Sequence, residues 1–226
     1  MKLSSVKKMG MPTTSPVTLA AITEDSGVRL ITQAQLLANA ADIENDTLSA
    51  SNLAIASGSG TLVDNGNGSW NYTAAANDDS AVSFSYTISD NGTSNGVADP
   101  KSIAATASLD ITPVNDPPVV SSITLANLPE DSNRLITQAV LLAGASDVDG
   151  DALTAINLAL FSGNGTLADN GNGTWTFSPA ANWNGAASFS FAVSDGTTTV
   201  ANTASLSVTA VNDAPTLNSS VVLPGI

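Results

Sequence analysis

The stretch "TLADNGNGTWTFSPAANWNGAASFSFAVSD", Thr166 to Asp195, decides the fold. Trp175 and Phe177 alternate with Thr174 and Thr176, and further on Phe189, Phe191 and Val193 alternate with small polar residues. Period-two alternation sends successive side chains to opposite faces of a strand, so each run predicts a strand with one buried face. Leu206 and Val208 in "SLSVTA" continue the pattern. Asn-Gly pairs separate Leu167 from Trp175, and such pairs predict a hairpin through a type I′ turn, which needs positive φ at both central residues.

The same text occurs upstream as "TLVDNGNGSWNYTAAANDDSAVSFSYTISD", Thr61 to Asp90. Shifted by 105 positions, Arg29 to Asp90 is identical to Arg134 to Asp195 at 37 of 62 positions. The chain is therefore a tandem duplication. The offset is 106 at Glu24 and Glu130 and falls to 97 at Val114 and Val211, because the first copy carries eight extra residues near "NGTSNGVADPKS". Those residues predict a longer hairpin loop. "ITQAQLLANA" and "ITQAVLLAGA" break the alternation: Leu36, Leu37 and Ala40 follow helical spacing, which predicts one short helical turn per copy. About seven short strands per copy, with closely spaced turn signals, is the pattern of a Greek-key sandwich. The expected fold is all-β, two tandem Greek-key β-sandwiches of immunoglobulin-like type, each with one short helical turn. The repeats are placed at Thr13 to Asn115 and Asp116 to Asp213, with residues 214–226 read as the start of a truncated third repeat or a tail. The junction "TPVNDPPVV" is repeated as "TAVNDAPTL". Pro117 and Pro118 hold the backbone extended, so a short, stiff linker is expected.

A chain of 226 residues with 42% hydrophobic content can bury substantial cores. Twenty acids stand against six bases, for a net charge of −14. Lys2, Lys7 and Lys8 sit in the first ten residues, leaving Arg29, Lys101 and Arg134 for the body. This balance argues against nucleic acid and anionic membranes as partners and for cations. The absence of cysteine and histidine removes zinc sites, disulfides and Ser-His or Cys-His catalysis. No stretch reaches the roughly 18 apolar residues of a membrane span. "MKLSSVKKMG" is basic but lacks a following apolar core, so a signal for export is expected outside this chain.

Carboxylates recur at alternate positions in "ASDVDGDALT", Ala145 to Thr154: Asp147, Asp149 and Asp151. The first copy, "ADIENDTL", has Asp42, Glu44 and Asp46, with Asn45 in place of Gly150; asparagine also tolerates left-handed backbone. An EF-hand loop wants glycine sixth and glutamate twelfth, whereas from Asp147 the fourth residue is Gly150 and the twelfth Leu158. Clustered hard oxygens suit calcium. Asp169, in "TLADNGNG", reads as a turn residue rather than a ligand.

Taken in order, "ASDVDGD", "VSDG" and "VNDAP" resemble the calcium motifs of cadherin repeats, in the form found in cadherin-like tandem repeats of large secreted bacterial adhesins of the RTX type. The resemblance implies that Asp147, Asp149, Asp151 and Asp195 converge with Asn115 and Asp116 on Ca2+. It implies a further ligand, Glu24, from the base of the upstream repeat, and the same part for Glu130 toward whatever follows Asp213. Asp42, Glu44, Asp46 and Asp90 form the corresponding set of repeat 1. Only "PTTSPVT" precedes them, without the Asn-Asp pair, so a weaker or empty site is expected. The resemblance further implies an extracellular, cell-surface stalk in cell adhesion and biofilm. Its partners would be neighbouring repeats of the same chain and a surface glycan or host or biofilm component.

No enzyme is expected. The Asp25-Ser26-Gly27 triplet becomes Asp131-Ser132-Asn133 in the second copy, and no catalytic constellation can be nominated. The alternative function is carbohydrate binding through an exposed Trp183, which has Asp78 as its counterpart in repeat 1. Trp70 and Trp175 fall on alternating strands and are expected in the cores.

Overall fold

A computed structural model describes residues 10–215, so all but the first two residues of the expected third repeat lie outside the described residues. The chain divides into two compact units, Met1–Val114 and Asn115–Ile226. Each is a β-sandwich.

In the second unit, Ile123–Thr124, Thr199–Thr209, Gly185–Ser194 and Thr154–Ser162 form one sheet in that order. Arg134–Thr137, Thr174–Pro179 and Gly165–Asp169 form the other. The alternating residues supply the core: Trp175 and Phe177 from one sheet meet Phe189, Phe191 and Val193 from the other. Phe177 and Phe189 touch edge to face at 5.1 Å between ring centres, the geometry that the ring quadrupoles favour. In the first unit the sheets are Val17–Thr18, Ser102–Leu109, Val82–Ser89 and Ser49–Ser57, and Val28–Thr32, Ser69–Thr73 and Thr61–Asp64. Tyr72 and Phe84 repeat the edge-to-face pair at 5.4 Å. Trp70 and Trp175 are buried, as their positions predict.

The helical turns are Gln33–Leu36 and Gln138–Leu141. Thr32 caps the first through its side chain, and Gln35 returns the bond to the Thr32 N–H in a complete capping box. Thr137 caps the second alone, because Val140 stands where Gln35 does. Leu36 and Leu141 point from these turns into the two cores.

Two turns differ from expectation. The Asn-Gly pairs lie in a five-residue connection, Asn170 to Thr174, since Asp169 still pairs with Trp175. Only the glycines there are left-handed, Gly171 at φ 73° and Gly173 at φ 74°. Asp169 Oδ1 accepts the Gly171 N–H at 2.8 Å, and this side-chain turn replaces the type I′ geometry. The eight extra residues of repeat 1 form a hairpin of their own, Thr93–Ser94 with Val97–Ala98. There Asn95 and Gly96 are both left-handed, at φ 52° and 77°, so the type I′ turn occurs in the insertion.

Candidate metal centre

In the second unit, Val119–Val120 pairs antiparallel with Ala145–Ser146, placing Val119 opposite Ser146. This ladder lays the start of the repeat alongside the acidic loop that follows Ser146. The Asp116 N–H donates to Asp149 Oδ2 at 2.7 Å. Within the loop, Asp147 Oδ1 accepts the N–H groups of Asp149 at 3.0 Å and Asp151 at 3.3 Å, and Gly150 supplies the left-handed residue at φ 80°. One side chain thus folds the loop and draws its two exposed neighbours close around it. Carboxylate oxygens of Asp147, Asp149 and Asp151 lie within 4.8 Å of one another.

Asp195 follows the strand Gly185–Ser194. Its Oδ1 accepts the N–H groups of Thr197 at 2.6 Å and Thr198 at 2.5 Å. Its Oδ2 accepts the Thr198 hydroxyl at 2.6 Å and the Asn115 amide at 3.1 Å. The Thr198 hydroxyl, helped by the Thr198, Asn115 and Thr197 donors and opposed by burial, holds this carboxyl well below the usual carboxylate range. The unit therefore brings together Asp116 with Asp149, Asp147 and Asp151, and Asn115 with Asp195, with Asn115 and Asp116 adjacent in the chain.

The donor set fits a hard divalent cation. Every candidate atom is an oxygen, and Asp147 Oδ2 is buried without a hydrogen-bond partner, an arrangement costly for a carboxylate unless a cation meets it. At an effective dielectric near 20, carboxylates this close repel by about 3 kcal/mol per pair, less where water reaches them. Among the described residues the one salt bridge joins Lys101 to Asp99, away from these three carboxylates in sequence and in a different unit.

Glu24 belongs to the first unit and is only 4% exposed. Its Oε1 accepts the Val114 N–H at 2.6 Å. Glu130 does the same in the second unit, accepting the Val211 N–H at 2.7 Å, and its other oxygen is buried without a partner.

The repeat 1 set is built alike. Asp42 Oδ1 accepts the Glu44 and Asp46 N–H groups, both at 2.9 Å, and Asn45 takes the left-handed place at φ 62°. Asp90 Oδ1 accepts from the Gly92 and Lys101 N–H groups at 3.0 and 2.9 Å. Asp42 Oδ2 and Asp90 Oδ2 are buried without partners. The bridge between Thr13 and Ala41 matches that between Val119 and Ser146, and the Gly10 N–H donates to Glu44 Oε2 at 3.1 Å. Gly10 thus stands where Asp116 stands in repeat 2. The offset is the 106 positions that relate Glu24 to Glu130, but the flanking segments share little sequence, and it is the ladder that establishes the equivalence.

Trp183 is half-buried rather than exposed. It packs against the second core, and its ring lies so close to Gly163 and Gly185 that a Cβ on either would approach it to 3.2 Å.

Fold and acid-rich poles together define a tandem cadherin-like β-sandwich protein. The model of the cadherin-like domain family matches residues 10–112 and 114–209, and the chain belongs to that family. Among solved structures, protocadherin gamma B2 extracellular cadherin domains 1–5 are similar at 15% identity and TM-score 0.51, over 90% of this chain and 41% of that one. Drosophila N-cadherin EC1–4 is similar at 16% identity and TM-score 0.50, over 90% of this chain and 50% of that one. An endo-fucoidan hydrolase of glycoside hydrolase family 107 is similar at 22% identity and TM-score 0.34, over 90% of this chain and 29% of that one. The chain thus spans half or less of each of these proteins, and the likeness to the two cadherins is one of fold. No curated protein sequence matches it significantly. Among the described residues no helix is long and apolar enough to cross a membrane, which leaves β-barrels unaddressed.

Proposed function

We propose that the chain is a non-catalytic, calcium-binding spacer of an extracellular adhesin, whose repeats are stiffened when Ca2+ occupies the pole of repeat 2. The observation that carries this reading is the trio Asp147, Asp149 and Asp151, gathered within 4.8 Å, with a buried Asp147 oxygen that no donor satisfies. Asp147, Asp149, Asp151, Asn115 and Asp116 would hold the ion, with Glu24 contributed by the preceding repeat, and Asp195 would join them by giving up one of the four donors it accepts. The ion would supply positive charge and a demand for six to eight oxygens, which one loop alone meets poorly.

Affinities of extracellular calcium modules lie near 10⁻⁴ to 10⁻³ M, so such a site fills outside a cell and empties in the cytosol. Binding at a hundredfold excess over Kd adds about 2.7 kcal/mol of stability. Assignment to a bacterial surface adhesin in biofilm rests on the sequence phrases "ASDVDGD", "VSDG" and "VNDAP". Repeat 1, with Gly10 in the place of Asp116, binds more weakly.

Calorimetric titration of the whole chain with CaCl2, alongside small-angle scattering in calcium and in EGTA, tests the reading. The expected result is millimolar or tighter binding, with a narrower distribution of particle dimensions in calcium, both lost in Asp149→Ala. Absence of binding heat together with identical scattering in the two buffers refutes it.

A further inference from the structure

Between Thr112 and Val119 the chain reads Pro113-Val114-Asn115-Asp116-Pro117-Pro118. Proline has no N–H, so this segment owns three backbone donors. Two are taken by carboxylates, each within its own unit. Glu24 Oε1 accepts the Val114 N–H at 2.6 Å, and Asp149 Oδ2 accepts the Asp116 N–H at 2.7 Å. The same devices recur elsewhere. Glu130 holds the Val211 N–H at the end of repeat 2, and Glu44 holds the Gly10 N–H at the start of repeat 1.

We propose that Glu24 and Asp149 are backbone latches: each seats the adjoining linker residue on its own repeat without any metal, while Asn115 between them is held to Asp195 through its side chain alone, its N–H being the one of the three that no carboxylate takes. Hydrogen bonds from N–H to an ionised carboxylate are roughly twice as strong as neutral ones. Glu24, 4% exposed, is also sheltered from competing water. A carboxylate has about four lone-pair sites, so accepting one N–H leaves oxygen capacity for an ion. Calcium would then order a segment that has already lost most of its backbone freedom, and the entropic cost of ordering it on binding is small. The proposal extends the calcium reading, since both latches are among the expected ligands, but the latches themselves need no ion.

Residue-resolved amide exchange of the whole chain in EGTA provides the test. Val114, Asp116 and Val211 should exchange at least ~10-fold more slowly than Asn115. Glu24→Gln, which keeps an acceptor oxygen and loses the charge, should retain slow exchange at Val114. Glu24→Ala should release Val114 alone, and Asp149→Ala should release Asp116 alone. Val114 and Asp116 exchanging as fast as Asn115 in the unsubstituted protein would overturn the proposal, a result that needs no variant to fold. Calcium titration of the same sample separates the two readings. Slow amides with no binding heat keep the latches and remove the calcium site; binding with fast amides does the reverse.

Discussion

In repeat 1 the N–H donated to the acidic loop comes from Gly10, and in repeat 2 from Asp116, at 3.1 and 2.7 Å. Both loops are folded by the first aspartate, Asp42 or Asp147, through two N–H groups. Both place a left-handed residue, Asn45 or Gly150, before the last acid. The scaffold of the pole therefore belongs to each repeat. The side chains that complete it do not, because Asn115 and Asp116 of repeat 2 correspond to Met9 and Gly10 of repeat 1. The second acid-bearing strand end differs too. Asp195 is wrapped by Thr197, Thr198 and Asn115, whereas Asp90 keeps a buried oxygen without a partner. A duplicated sandwich can thus keep its loop and change the side chains gathered at its pole through the residues that precede it.

The most severe way to break this comparison is Asp147→Ala. It removes the single oxygen, Oδ1, that accepts both loop N–H groups, so repeat 2 should lose about 2 kcal/mol in calcium, and less in EGTA, where the substitution also relieves the carboxylate repulsion and the unpartnered Oδ2. Its calcium heat should disappear. Asp42→Ala should destabilise repeat 1 similarly while changing the calcium isotherm little. Urea denaturation followed by amide-resolved spectra separates the two repeats, and equal losses of calcium heat in the two variants would contradict the asymmetry.

Next in size is Trp183→Ala, at a position where repeat 1 has Asp78. The ring is half-buried over Gly163 and Gly185, so its removal should cost repeat 2 about 1–2 kcal/mol. Repeat 1 should be unaffected. An unchanged repeat 2 midpoint would show that the ring contributes nothing to packing.

Exchange of the linker side chains sharpens the comparison most directly. Asn115→Met with Asp116→Gly gives repeat 2 the linker of repeat 1, and should weaken its calcium binding about tenfold, or about 1.4 kcal/mol. The reverse change gains less. A Cβ on Gly10 would approach Ile43 Cγ2 to 2.8 Å and Glu44 Oε2 to 2.9 Å, so Gly10→Asp must first displace those side chains. Titration of both variants by calorimetry reads the difference; an unaltered affinity in the double substitution would mean that the linker side chains are not ligands.

Much of this was readable in the sequence because it is local. Alternation gave Trp175, Phe177 and Phe189 their faces, and the duplication itself tied the two loops together. What escaped was set by long-range register. The equivalence of Gly10 and Asp116 is carried by the pairings of Thr13 with Ala41 and Val119 with Ser146, across segments with little sequence likeness. The Asn-Gly pairs misled for a similar reason. Pairing of Asp169 with Trp175 leaves five residues to turn, whereas Ser94 pairs with Val97 and leaves only two, Asn95 and Gly96. The backbone bonds of Glu24 and Glu130 reach across 90 and 81 positions, beyond any local pattern.

The smallest expected effect lies at Asp78. Its Oδ1 accepts the Ser80 N–H at 2.9 Å. The Ser80 hydroxyl first, then the Ser80 N–H and the Ser59 hydroxyl, lower its pKa against a weak opposing effect of burial. A carboxyl whose folded pKa lies below its unfolded value binds fewer protons when folded. Its contribution to stability is therefore full above the unfolded value, about 4 for aspartate, and is lost as pH falls through the folded value. Asp78→Asn keeps an acceptor and removes the titration. In EGTA, the stability difference between the unsubstituted chain and Asp78→Asn in repeat 1 should be constant from pH 7 to about 5 and should shrink steadily below about 4. Repeat 2, with Trp183 at this position, should show no difference at any pH. A repeat 1 difference as large at pH 3 as at pH 7 would mean that Asp78 acts through its shape and not its charge.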